Sequence, residues 1–268
     1  TIYCEKNLSR GIHATGGGAI TAKNLNIVTC GNNSSVIATD RGGGTVTVDG
    51  GIYKTNGKDC AVCYSTGSIT AQDIVGESKQ GEIAVIEGDN EVNIINCRMT
   101  SGDNRRGMMI LQSGSGDAEG FNGRIYVTGG QLTLTSREAP LIEVTTSTKG
   151  TLTLKDVTID LPSGVLMKVD YNKRWRTTSP VAILNLGTDS SATYNGDIEV
   201  DEYGTSTVNI GKNVTWNGAY DTADTGKQTT VIVTGTWNLT KDSYVDNVII
   251  KDGGIINRNG FQLKGNGH

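Results

Sequence analysis

A chain of 268 residues with a formal charge of -4, 37 glycines and only 3 prolines excludes several classes at once. It lacks the concentrated basic face that a phosphate backbone requires, and no apolar run approaches the roughly 18 residues of a membrane span. Turn residues break every window long enough for an amphipathic helix, which leaves many short strands rich in Thr, Val and Ile.

Read from the start, the chain repeats itself with a period in the twenties. The first element of each repeat is a short apolar strand ending in a polar turn. It recurs as "GIHATGG" from Gly11, "SVIATDRGG" from Ser35, "AVCYSTG" from Ala61, "IAVIEGDN" from Ile83 and "MMILQSG" from Met108. It continues as "PLIEVTTS" from Pro140, "VLMKVDYN" from Val165, "DIEVDEYG" from Asp197 and "TVIVTG" from Thr230. The second element follows each time, for example "AITAKNLNI", "TVTVDGGIY", "SITAQDIV", "EVNIINCRM" and "TLTLKDVTI". Its apolar-polar alternation, interrupted by "KN", "DG", "QD" or "IN", describes two strands meeting at a sharp corner. Val46, Val48, Leu152, Leu154, Val208 and Ile210 are the expected inward residues, with Thr45, Thr47, Thr151 and Thr153 facing out.

Strands this short bury nothing alone, so the core must come from stacking one coil on the next. The expected fold is all-β: a single-domain right-handed parallel β-helix over 1–268, of about nine to ten coils with three short strands per coil. A β-sandwich also needs many strands, but it has no reason to reuse one pattern in one order. The abrupt start at Thr1 suggests a mature form or fragment of a longer surface protein.

The five cysteines, Cys4, Cys30, Cys60, Cys63 and Cys97, are odd in number and do not suggest a disulfide scaffold. Cys60 and Cys63 form a CxxC without a second CxxC or nearby histidines to complete a zinc site. Both read as small buried residues.

Segments 34–55, 61–70, 84–94, 108–120 and 173–179, with the closing "GNGH", resemble secreted bacterial right-handed β-helix proteins of adhesin-like, largely uncharacterised type. The resemblance covers nearly the whole chain and implies a fold and an extracellular or cell-surface setting. It brings no catalytic residues. The chain departs from that pattern at Cys60, Cys63 and Cys97, where uncharged small residues are more usual.

Long loops in a solenoid collect on its sides. Three lengthened connections follow first-element strands: 39–44, 112–123 and 170–180. In-register stacking should gather Asp40, Arg41, Glu87, Asp89, Asp117, Glu119, Asp170, Arg174, Trp175 and Arg176 on one side. Asp40, Arg41, Asp117, Glu119, Arg174, Trp175 and Arg176 are therefore the candidate ligand-binding residues. Trp175 would stack on a sugar ring while neighbouring charges bond its substituents; the plainer reading folds Trp175 back over a coil edge.

The expected function is non-catalytic binding of carbohydrate or another surface polymer, or service as a rod that self-associates end to end through open strand edges. The alternative is a polysaccharide lyase or glycoside hydrolase, for which Asp117 and Glu119 are the nearest paired carboxylates. No catalytic residue is assigned. Asp40, Asp89 and Asp117 are weak Ca²⁺ candidates, and no other cofactor is expected.

Overall fold

The computed structural model describes residues 1–113, 115–146, 149–172 and 179–265. It is a parallel β-solenoid of about nine turns; among the described residues there are no helices and every strand pair is parallel. Three faces run along the rod, as the repeat demanded.

The first face begins in Ala19–Thr29 and Thr45–Lys58 and continues through Ser68–Gln72, Glu91–Ile95, Arg124–Thr128 and Lys149–Lys155 to Asn247–Ile250. Its inward column is Ile20, Val46, Ile69, Val92, Ile125, Leu152, Leu184, Val208, Val231 and Val248, each the register partner of the next. Val46, Val48, Leu152, Leu154, Val208 and Ile210 are fully or almost fully buried. Thr45, Thr47, Thr151 and Thr153 face outward. Period-two alternation alone placed them. Burying one such aliphatic side chain contributes about 1.5 to 3 kcal/mol, and a strand gains it only when rungs above and below cover it.

The corner between the first and second faces is a stacked column of left-handed residues. Asn24, Gly50, Asp73, Asn96, Gly129 and Asp156 have φ of 53°, 67°, 53°, 51°, 65° and 54°. Asn, Asp and Gly tolerate this region, which is why "KN", "DG", "QD" and "IN" recur there. The following Gly130 is required by contact as well: with φ +74°, a Cβ would lie 2.2 Å from the Cys97 carbonyl oxygen.

The second face carries a buried hydroxyl ladder, Thr29, Thr55, Ser78 and Ser101. Thr55 Oγ1 donates to the Cys60 carbonyl at 2.8 Å and Ser101 Oγ to that of Gly81 at 2.9 Å, so the ladder satisfies corner carbonyls. Further along, Tyr194, Trp216 and Trp237 point inward in register. The two tryptophan rings stack at 5.0 Å. Outside them Asn195, Asn217, Asn238 and Asn257 form an amide ladder with bonds of 2.8, 2.7 and 2.7 Å.

The third face runs through Ile12–Thr15, Ile37–Asp40, Cys63–Ser65, Ala84–Glu87, Met108–Leu111, Ile142–Thr145, Val165–Asp170 and Asp197–Val200. One assignment of the repeat needs correcting. "TVIVTG" is not a first element: Gln228–Val233 pairs with Thr205–Ile210 on the first face. The third face of that coil shrinks to a single bridge, Ile198 with Tyr220. A turn that spends its length in a loop leaves no strand periodicity to read.

All five cysteines are free. Cys63 is fully buried, and its thiol is held far above its ordinary value by burial. Cys60 and Cys97 are buried as well and shifted in the same direction for the same reason.

Candidate functional site

Stacking brings 39–44 and the described part of 112–123 to one corner, after the third face, while 173–178 of the third long loop lie outside the described residues. Backbone bonds link the corner rung to rung: Gly17 N–H to Gly43 O, Ser68 to Gly44, Glu91 to Gly67, Arg124 to Asn90 and Thr151 to Gly123. Beside this corner the outer side of the third face forms a groove of about 310 Å³, lined by Tyr64, Glu82, Val85, Glu87, Arg105, Arg106, Met109, Leu111 and neighbours. A second depression of about 510 Å³ adjoins it, with Asp59 and Arg105 lining both.

The groove is built by register. Tyr64, Val85 and Met109 are partners on successive strands, and their alternation with core residues turns them outward as a partly apolar floor. Glu82 and Arg106 occupy the same phase one rung apart, each two residues before its strand partner Ala84 or Met108. Glu87 and Leu111 are partners at the opposite edge.

On the Glu82 side the charges form a network. Arg105 Nη2 lies 2.6 Å from Asp59 Oδ1 and 2.6 Å from Asp103 Oδ2, and its Nε–H donates to both Asp103 oxygens at 3.1 and 3.2 Å. Arg106 lies 3.6 Å from Glu82, one rung below, and pairs with Glu143, one rung above. Burial pushes the Glu82 carboxyl up, Asp103 pushes it further, and Arg106 pulls it back only in part. Asp103 feels burial too, but the hydrogen bonds from Arg105 outweigh it and hold that carboxyl below its usual range. Burial raises the Glu143 carboxyl to about 7, against the pull of Arg106 and with a push from Asp170.

On the opposite side Glu87 is buried and accepts from neutral donors. The Tyr64 hydroxyl donates to Oε2 at 3.1 Å; the Ser113 N–H and Ser115 hydroxyl donate to Oε1 at 3.3 and 3.1 Å, and the Ser113 hydroxyl also reaches Oε1. Burial raises Glu87, and the hydrogen bonds from Tyr64, Ser115 and Ser113 offset part of that rise.

The residues expected from sequence divide. Asp40 and Asp117 come close enough to Tyr64 for their charges to raise its hydroxyl, after burial and Glu87. Asp117 accepts from Ser115 at 3.2 Å. Arg41 is exposed at the turn with φ 48°, its carbonyl accepting from Gly16 N–H and the Thr15 hydroxyl. Glu119 is exposed, and its carbonyl accepts from Asp89 N–H. Asp117 and Glu119 therefore do not share the groove as a pair. Asp89 is bound by Arg124 at 2.6 Å, and among the described residues no three His, Cys, Asp or Glu side chains converge on a metal-sized site. Arg174, Trp175 and Arg176 lie outside the described residues.

Sequence reasoning missed Glu82, Arg105, Arg106 and Glu143. Glu82 and Arg106 share a phase, two residues before successive third-face strands, and Glu143 is the register partner of Met109 on the next strand; Arg105 carries no such signal.

Comparison with protein families, curated proteins and solved structures finds no match. The class defined here is a parallel β-solenoid bearing a polar, ion-paired groove on one face.

Proposed function

We propose that this chain is an adhesin-like rod of the cell surface or extracellular space that binds a glycan in the groove of its third face. The observation carrying this reading is one open depression in which fixed carboxylates, guanidinium groups and a phenol stand over an apolar strip of Tyr64, Val85 and Met109. Sugars present that combination in complement: hydroxyls at their rim and C–H surface on their faces. The third face runs unbroken over eight strands, which suits an extended chain better than a compact metabolite.

Affinity electrophoresis through gels containing soluble polysaccharides tests it. Retardation by at least one polymer is expected, with Tyr64→Ala weakening binding about tenfold, or roughly 1.4 kcal/mol. Binding untouched by Tyr64→Ala removes the groove from the account.

One observation favours a second reading, hydrolysis. Glu82 and Glu87 stand at opposite edges of the same depression, and two carboxylates flanking a bound sugar are the minimum for cleaving a glycosidic bond. Product analysis after incubation with the retarded polymer decides it: new reducing ends that disappear in Glu87→Gln establish an enzyme, and an intact polymer establishes a binder.

A further inference from the structure

The groove holds guanidinium groups, yet none on its Glu82 side is available to an anion. Arg105 is chelated by Asp103 and bound to Asp59, with both Nη2 contacts at 2.6 Å. Arg106, only 11% exposed, is sandwiched between Glu82 and Glu143. Arg10, at the end near Tyr64, gives its Nη1 to the carbonyls of Ser9 and Asn33, and its guanidinium lies 5.9 Å from the Tyr64 ring centre. A carboxylate or sulfate reaching Arg105 or Arg106 would have to displace a protein carboxylate and then lie against Glu82 and Glu87, two buried acids; Arg10, which bonds only carbonyls, stands outside the groove lining. A cation would have to approach Glu87 through the Tyr64, Ser113 and Ser115 groups that already surround its buried carboxylate.

What the lining offers is a set of immobilised donors and acceptors: carboxylates match the charges of Arg105 and Arg106, and neutral donors hold Glu87. Such a surface recognises hydroxyl groups: each ion-paired carboxylate keeps lone pairs for an O–H, and each guanidinium keeps N–H groups for a sugar oxygen. The geometry points to an uncharged polysaccharide as the ligand of this groove, neither a polyuronate or sulfated glycan nor a polyamine sugar. This rests on the glycan reading above and narrows it to one chemical class.

The test uses the full chain and a panel in three classes: arabinoxylan, mixed-linkage β-glucan and galactomannan as uncharged polymers, polygalacturonate and heparin as anions, and chitosan as a cation. Isothermal titration should find binding within the uncharged class, with Kd changing by less than about twofold between about 0.05 and about 0.5 M NaCl, since no screened charge pair forms. Tyr64→Ala, with an unchanged circular dichroism spectrum, should weaken that binding about tenfold, and Tyr64→Phe should weaken it less. Binding confined to the anions or to chitosan, or a Kd that rises more than about tenfold over the same salt range, overturns the uncharged class while leaving a glycan binder. Failure of every polymer to bind overturns the glycan reading and this inference with it.

Discussion

Glu143 offers the sharpest perturbation, because neutralising one partner of a buried ion pair should here stabilise the protein. Its carboxyl is 6% exposed, and burial lifts it from an ordinary value of 4.5 to about 7 even with Arg106 beside it. Below pH 4.5 the folded and unfolded chains both hold the proton. Between 4.5 and about 7 only the folded chain keeps it, so this contribution to stability is complete at low pH and is lost as pH rises through 7. At 1.36 kcal/mol per pH unit, a displacement from 4.5 to about 7 corresponds to about 3 kcal/mol. Glu143→Gln is permanently neutral and nearly isosteric with the protonated acid. Urea unfolding followed by far-ultraviolet circular dichroism should therefore find the two proteins alike near pH 4, with the variant gaining on the wild type to about 3 kcal/mol by about pH 8. Glu87 titrates in both proteins and cancels in the difference; Glu82, which shares Arg106 with Glu143, and Asp170, which acts directly on it, are the neighbours to control with Glu82→Gln and Asp170→Asn backgrounds. Parallel pH profiles for the two proteins would refute the argument, as would a wild type that gains on the variant with rising pH.

Three other outcomes follow from the packing. Trp237 stacks on Trp216 and donates Nε1–H to the Gly218 carbonyl at 2.9 Å; Trp237→Ala should cost about 3 to 5 kcal/mol. Hydrogen exchange should place the loss in the rungs around 205–257 and leave 45–155 protected, since stacked repeats couple mainly to their neighbours. Gly130→Ala must hold alanine at φ +74° with Cβ against the Cys97 carbonyl, so a loss of at least about 1 to 2 kcal/mol is expected in thermal unfolding. In a thiol-labelling time course on the native protein, the half-buried Cys4 and Cys30 should react before the buried Cys60, Cys63 and Cys97.

The solenoid was legible because its cause is local and repeated. Alternation such as Thr45-Val46-Thr47-Val48 fixes which side is buried, and the Asn, Asp or Gly at each first corner marks where the chain bends. The convergence of the loop corner was legible for the same reason, and it brought Asp40 and Asp117 toward Tyr64. The groove itself was not. Asp59, Glu82, Arg105 and Glu143 belong to four different coils, and each reads singly as an ordinary polar residue near a turn. Only register between rungs makes them neighbours. The coil containing Tyr220 was misassigned because its third strand has contracted to one bridge and carries no alternation.

The left-handed column and the loop corner impose opposite rules on chain length. At the first, a rung turns on one or two residues whose neighbours lie within touching distance above and below, so nothing can be added. At the second, residues 115–123 leave the rung while the Arg124 N–H still donates to the Asn90 carbonyl beneath it. The rod is thus a scaffold with a built-in graft point: foreign sequence set into 115–117 would be displayed at the rim of the groove, anchored on both sides by pairing it does not have to supply.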